Sequence, residues 1–443
     1  MSPVTIAVLV LAAIVLIIFL TTVVKLNAFI SLFIVSLLLA AIALPEKDLI
    51  AIMKEGFGST MGSIGFLIIF GAIIAVVLDK SGGAVSIANF ILSKMGTNNA
   101  ASALAITGFI TGFPIFCDSG FIIMSGLAKT FSSRSKIALS FLAVVLATSL
   151  YAVHCLIPTH PGSLAAAGII KVNLGTLILW GVLFAIPATV VAYFWTKWRT
   201  RNDKFIADAE NETDEQLNRL HALPAVSLSL LPVVIPLFLI SLGSFVKVIG
   251  LPDGLLKNLI NFVGQPVIAL FIGVMLALPL LQKVNIKSLN QILETAIEKA
   301  GPILIVTAAG GMFGLVIKET GVGQYFGEVL MKTGLGLAVP FLVAFILKTA
   351  QGSSTVAIIT AASLVVPMLP ALGLDSENGK LLAMIALSAG SMMVSHPNDS
   401  YFWVVNRFSG IPIDTSLKVY TPATIVMGIT VFILALAVSF VIL

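Results

Sequence analysis

Uncharged or nearly uncharged stretches of membrane-spanning length recur along the whole chain, at residues 4–24, 28–44, 61–78, 137–157, 174–195, 225–246, 265–281, 301–317, 380–395 and 419–443. Runs of this length that do not alternate in polarity read as spanning helices. A transmembrane barrel, built from alternating strands of about ten residues, does not fit them. The pattern predicts an all-α polytopic membrane protein. One polar interval, KWRTRNDKFIADAENETDEQLNRLH at 197–221, separates two apolar halves, 1–196 and 222–443.

The halves follow the same plan. At a shift of 236 positions Phe109-Ile110 pairs with Phe345-Ile346, Ile122-Ile123 with Ile358-Ile359, and His160-Pro161 with His396-Pro397. Slightly upstream, LDKSG at 78–82 pairs with IKETG at 317–321. Each half reads as three spans, an anomalous stretch, a span ending in His-Pro and a final span. The anomalous stretches, 98–131 and 336–371, carry FPIFCDSG and KTAQGSST at their centres. Half of such a stretch, about 15 residues or 22 Å of helix, falls short of a bilayer core of about 30 Å. Two re-entrant hairpins with tips near Asp118 and Ser353 are therefore expected. Non-helical backbone at that depth is tolerated only inside protein or beside a wet cavity. Proline disfavours helix at the residue before it, so His160 and His396 should sit where a spanning helix unwinds.

Such a half crosses the membrane five times, so the second half must be inverted. Placing the linker in the cytoplasm also puts Lys25, Lys80, Lys94, Arg134, Lys136, Lys283, Lys287, Arg407 and Lys418 inside. Fewer basic residues fall outside: Lys47, Lys54, Lys171, Lys247, Lys257, Lys318, Lys332 and Lys380. Both termini are then expected outside. The composition agrees, with 58% apolar and 10% charged residues. The net charge of +5 speaks to membrane orientation and not to nucleic acid. Cys117 and Cys155 lie in apolar context and form no disulfide framework. The first run lacks a preceding Lys or Arg and a cleavage site, and reads as a retained helix. There is no Walker motif. Inverted repeats, broken helices and a polar midplane site are the pattern of secondary transporters.

Four motifs in order, FPIFCDSGFIIM (113–124), IPTHPG (157–162), LKTAQGSSTVAIIT (347–360) and SHPNDSYFW (395–403), carry a resemblance to the gluconate:proton symporter family, the gluconate permeases of the ion transporter superfamily. The resemblance spans the whole chain. It implies a proton-coupled importer of sugar acids such as gluconate, with relatives carrying glycerate, other hydroxy acids or D-serine. It also implies a homodimer with elevator-like motion, placed in the bacterial cytoplasmic membrane. The chain departs from gluconate-type members at Pro158-Thr159-His160, where they have Pro-Pro-His, at Lys348, where they have Arg, and in the neighbours of Asp118. These departures leave the exact substrate open.

Asp118 at the first tip must be paired or protonated, and is a candidate for proton coupling and substrate contact; the plain alternative is a helix cap. Lys348, too deep to snorkel, needs an anion. The candidates are a substrate carboxylate and Asp118, since the superfamily arrangement brings the two tips together. His160 and His396 titrate near neutral pH and are candidates for proton carriage or substrate contact, against a role in pinning the unwound turns. His154, earlier in its span, reads as a packed helix residue. Ser119, Gly352, Ser353, Ser354 and Thr355 offer hydroxyls and free N–H groups at helix starts, which favour anions. Asn398 suits a polyol hydroxyl, and Asp399 is a proton or cation ligand or a cap. Gly310-Gly311 read as close-packing residues. No cofactor or resident metal is expected. Sodium coupling, a channel and an intramembrane enzyme using His and Asp are the competing readings. The enzyme lacks His-Glu-x-x-His and Gly-x-Ser-x-Gly motifs, and duplicated polar sites argue against it.

Overall fold

The computed structural model describes residues 2–95, 99–113, 115–207, 223–249, 252, 254–281, 286–322, 336–397 and 399–443. Among these the regular structure is entirely helical. The first half contains α1 (Pro3–Thr22), α2 (Ala28–Ala43), α3 (Leu49–Lys80), α4 (Gly83–Met95), α5 (Ala100–Thr111), α6 (Cys117–Ser135), α7 (Leu139–Leu156), α8 (Pro161–Ile170) and α9 (Leu174–Arg199). The second contains α10 (Val226–Ile249), α11 (Leu255–Val263), α12 (Pro266–Ala277), α13 (Ile286–Glu319), α14 (Ala338–Gln351), α15 (Ser354–Val365), α16 (Glu377–Ser391), α17 (Ser400–Ser409) and α18 (Ile413–Ile442). The linker is described only to residue 207, and its remainder lies outside the described residues, as do Lys283 and Lys332 of the charge comparison.

Helix starts are capped where the sequence offers a short polar side chain. Ser2, Asn27, Asp48, Asn173, Ser353, Ser376 and Asp399 each accept a backbone N–H from the first turn of the following helix. This matters more in lipid than in water, because an unmade backbone bond finds no solvent there. Among the described residues, five segments are long and apolar enough to cross a membrane: Leu139–Ile170, Leu174–Arg199, Val226–Gly243, Ile286–Glu319 and Ile413–Ile442. The number rises to seven if the bent pairs within α3 and across α11–α12 each count as one span. With the exposed apolar faces of α1, α9 and α18 (Val8, Leu183, Phe194 and Ile433 among them), this is the build of a multi-pass membrane protein.

Helices α3 and α13, at 32 and 34 residues, begin well before the apolar runs at 61–78 and 301–317. Hydropathy marks only the stretch fit for lipid. The added turns, bearing Lys54 and Glu55 in one helix and Glu294, Glu298 and Lys299 in the other, belong to helices that pack along each other. Gly311 serves that packing, and Gly310 serves the packing of α13 on α15. A Cβ on Gly310 would stand 2.7 Å from Ser363 Oγ in α15, and one on Gly311 would strike Thr60 in α3.

The expected hairpins correspond to α5–α6 and α14–α15, with breaks at 112–116 and 352–353. Helices α5 and α15, of 12 residues each, are about 18 Å long. Helix α6 is longer than expected and runs to Ser135, past the anticipated end at 131. The expected broken helices correspond to α7–α8, which together are long and apolar enough to cross a membrane, and α16–α17. The hairpins and broken spans interlock across the halves: α6 packs on α17, and α15 packs on α8. All of α7, Ala357–Val365 of α15 and Leu381–Ser391 of α16 are buried, so these elements form the centre of the molecule.

Candidate functional site

Four helices begin at one place. A polar cavity of about 140 Å³ is lined by Phe116, Cys117 and Asp118 at the start of α6, Pro161 at the start of α8, Ser353, Ser354 and Thr355 at the start of α15, and Asp399, Ser400 and Tyr401 at the start of α17, with His154 and Ile303 completing the wall. Each half supplies two of the four N-termini. The first N–H groups of a helix lack intrahelical acceptors and carry its positive dipole end, so such a convergence favours an anion. Local sequence produces it. Pro161 starts α8 with no N–H to lose, behind His160 in extended conformation (φ −100°, ψ 146°). Gly352 at φ +78° turns the chain out of α14, and Ser353 then caps α15. Helix α8 meets α15 so closely that a Cβ on Gly162 would lie 3.0 Å from Thr355 Cα.

Two of the four ends already face an acid. Asp399 caps α17, its Oδ1 accepting from the Tyr401 amide at 3.0 Å. Its Oδ2 accepts from Lys348 Nζ at 2.6 Å and from the Ser395 hydroxyl. Lys348 is fully buried, donates also to the Gly352 carbonyl at 2.9 Å, and lies 5.9 Å from the centroid of the Tyr151 ring. This corrects the expectation that Asp118 is its protein partner. The side chain follows its own helix end toward Gly352, which brings the ammonium to Asp399 at the start of α17; Lys348 itself is not in the cavity lining. At the start of α6, Asp118 has a buried Oδ1 with no hydrogen-bond partner among the described residues. The starts of α8 and α15 carry no acid.

The other expected residues divide. Ser353, Ser354 and Thr355 line the cavity; Ser119 lies one residue past Asp118 and is not in its wall. Gly352 acts through its backbone. His160 and His396 do not line the cavity. Each instead faces the end of its own half's first hairpin arm, His160 Nε2 donating to the Gly112 carbonyl at 2.6 Å and His396 Nε2 to the Thr349 carbonyl at 3.3 Å. A carbonyl only accepts, so both contacts require a protonated Nε2. This is the pinning arrangement. Asn398 lies outside the described residues.

Sequence reasoning missed several neighbours. His154 lies in the cavity wall with Nε2 3.4 Å from Thr355 Oγ1. Ser395 and Tyr401 complete the surroundings of Asp399, and the Tyr401 hydroxyl donates to the Ala147 carbonyl at 3.0 Å. Lys299 places its ammonium 6.0 Å from the centroid of the cavity-wall ring Phe116 and 3.8 Å from Asp79. A histidine three positions before the break at Ile157 was the only sequence signal for His154. Nothing local marked Lys299, whose helix reads as amphipathic.

A family model described as GntP family permease matches residues 4–441. The Inner membrane permease YgbN of Escherichia coli (strain K12) is 32% identical over 449 residues, covering 98% of this chain and 98% of its own. The Gnt-II system L-idonate transporter of the same organism is 29% identical over 403 residues, with 90% of each chain covered. Its High-affinity gluconate transporter is 29% identical over 405 residues, covering 89% of this chain and 90% of its own.

Proposed function

The chain belongs to the GntP permease family, and on that premise we propose that it is a proton-coupled importer of a small hydroxylated carboxylate, gluconate or a related sugar acid, in the bacterial cytoplasmic membrane. Its relatives are permeases and transporters and not enzymes, which sets aside the intramembrane-enzyme reading. The observation that carries the proposal is the meeting of four helix N-termini, two from each half, at one cavity. Because Asp118 and Asp399 already complement α6 and α17, the substrate carboxylate belongs at the starts of α15 and α8, against Ser353, Ser354 and Thr355. The hydroxylated tail then extends toward Asp118 and Ser400. Lys348 contributes by neutralising Asp399, which leaves Asp118 as the wall carboxylate with no ion-pair partner among the described residues. Protonated, Asp118 becomes a donor to the substrate and admits an anion without like-charge repulsion; ionised, it repels one. That alternation couples proton to substrate. Asp399, bound to Lys348, is the second candidate for the proton.

The architecture suits alternating access. We read residues 1–196 and 222–443 as inverted repeats joined by a cytoplasmic linker, with hairpins and broken helices moving as one body against the remaining helices, elevator-fashion, in a homodimer. His160 and His396 tie each hairpin to the break of its own half, so tip and break travel together. Proteoliposomes loaded with purified protein test the reading. An inward proton gradient should drive gluconate or idonate accumulation that collapses with protonophore, and a sodium gradient at fixed pH should drive none. Accumulation that follows sodium and ignores pH would replace the proton with sodium. A competition panel of gluconate, idonate, glycerate and D-serine ranks the substrates.

A further inference from the structure

From the cavity's geometry we infer that His154 is a substrate-binding residue, presenting Nδ1 to a hydroxyl of the bound molecule. The assignment rests on the reading of the cavity as a site for a hydroxylated carboxylate. Two residues of the cavity wall have buried side-chain polar atoms with no hydrogen-bond partner among the described residues, Asp118 Oδ1 and His154 Nδ1. Buried polar atoms are ordinarily paired, and an exception beside a cavity is where a ligand completes the bond. The ring is only 9% exposed and is held on three sides. Tyr151 stacks on it at 6.3 Å and 12°, His160 lies 4.8 Å away between centroids, and Nε2 faces the Thr355 hydroxyl. Thr355 belongs to the helix start assigned to the carboxylate. A molecule anchored there therefore has its adjacent carbons beside the imidazole, with Nε2 engaged and Nδ1 free. His154 also borders a smaller adjoining cavity with Gly162, Ser163 and Ser391. The two His-Pro histidines do not take this role, since neither lines the cavity and the Nε2 of each holds the carbonyl of Gly112 or Thr349.

The two ring nitrogens separate cleanly by substitution. His154→Asn keeps a polar group near the Nδ1 position and loses the one facing Thr355; His154→Gln does the reverse. Binding of radiolabelled gluconate to purified protein, with competition by gluconates lacking one hydroxyl, is the measurement. His154→Asn should stay within about threefold of the unmodified protein, whereas His154→Gln should weaken binding by about tenfold, the loss of one hydrogen bond. His154→Phe should weaken binding similarly and also erase the preference for gluconate over one particular deoxy analogue. A purely structural histidine would not alter that ranking. Retained affinity in His154→Gln with loss in His154→Asn overturns the assignment in favour of the Thr355 contact. An unchanged analogue ranking in His154→Phe overturns it as well. Should the phenylalanine variant not fold, the Asn and Gln pair decides. Failure of the unmodified protein to bind any acid in the panel overturns the reading of the cavity, and this assignment with it.

Discussion

The two hairpin tips lie 236 positions apart in matching sequence register and differ in charge. In the second half Lys348, Asp399, Ser395 and the Gly352 carbonyl form a closed, buried network. At the shift of 236 positions the counterparts of Lys348 and Asp399 are Gly112 and Ser163, and Ser163 merely bonds the Ile157 carbonyl at 2.7 Å. Conversely Asp118, with its unpartnered Oδ1, corresponds to Ser354. What the halves share is mechanical, namely a histidine whose Nε2 holds the end of the first hairpin arm. What they do not share is charge. Among the described residues one cavity thus has an ion pair on one side and, on the other, a carboxylate whose Oδ1 has no hydrogen-bond partner.

The largest expected effect breaks the closed side. Lys348→Met leaves Asp399 buried and uncompensated, at a cost of about 3–5 kcal/mol, which thermal unfolding in detergent should register as a large drop in Tm. Adding Asp399→Asn to the same chain should recover much of that loss while transport stays absent. A single mutant as stable as the parent would show that the pair is not the structural half of the comparison. On the open side, Asp118→Asn should leave folding intact, because it removes an unpaired buried charge. It should abolish accumulation driven by a pH gradient and spare substrate exchange. Accumulation that survives would transfer the proton to Asp399.

The mirrored histidines sharpen the comparison further. Both use Nε2, so His160→Gln and His396→Gln should be tolerated, whereas the Asn variants should not. His160→Asn should cost about 1–3 kcal/mol, since the shorter bond is wholly buried, and His396→Asn about 0.5–1.5 kcal/mol, measured as unfolding shifts. Equal losses at the two sites would deny that the first half is pinned more tightly. The smallest effect concerns a backbone difference. Val394, at φ +47°, holds a left-handed conformation that β-branched residues avoid, and the described part of the first break has no such residue. Contacts from α18 hold the adjoining residue: the Ser395 amide donates to Thr424 Oγ1 at 3.1 Å, and Thr421 Oγ1 donates to the Ser395 carbonyl at 2.6 Å. Val394→Gly relieves the strain but frees the unfolded chain, leaving a net gain of about 0.5–1 kcal/mol. A clear loss of stability would mean that the valine side chain matters more than its conformation.

Much of the frame was legible. FPIFCDSG and KTAQGSST, polar islands in apolar surroundings, marked both tips, and His-Pro marked both breaks. Asp118 and the Ser353–Thr355 turn were legible as cavity residues for the same reason: a polar group in a long apolar run has to face something. The roles of Lys348, His154, His160 and His396 were not. Lys348 meets Asp399 across 51 positions and His154 meets Thr355 across 201. No local pattern distinguishes a histidine that holds a carbonyl from one that faces a cavity.

By itself, then, the order of residues determined that the chain is helical, where it enters apolar surroundings and where its helices must stop. Those outcomes follow from the cost of burying backbone and side-chain polar groups segment by segment. Only the tertiary structure decided which charges are paired and which carboxylate is left alone. An ion pair depends on separations of a few ångströms between helices distant in sequence, and those separations are set by how α14, α16 and α17 pack. The same packing brought four helix starts together, and no single segment specifies that meeting.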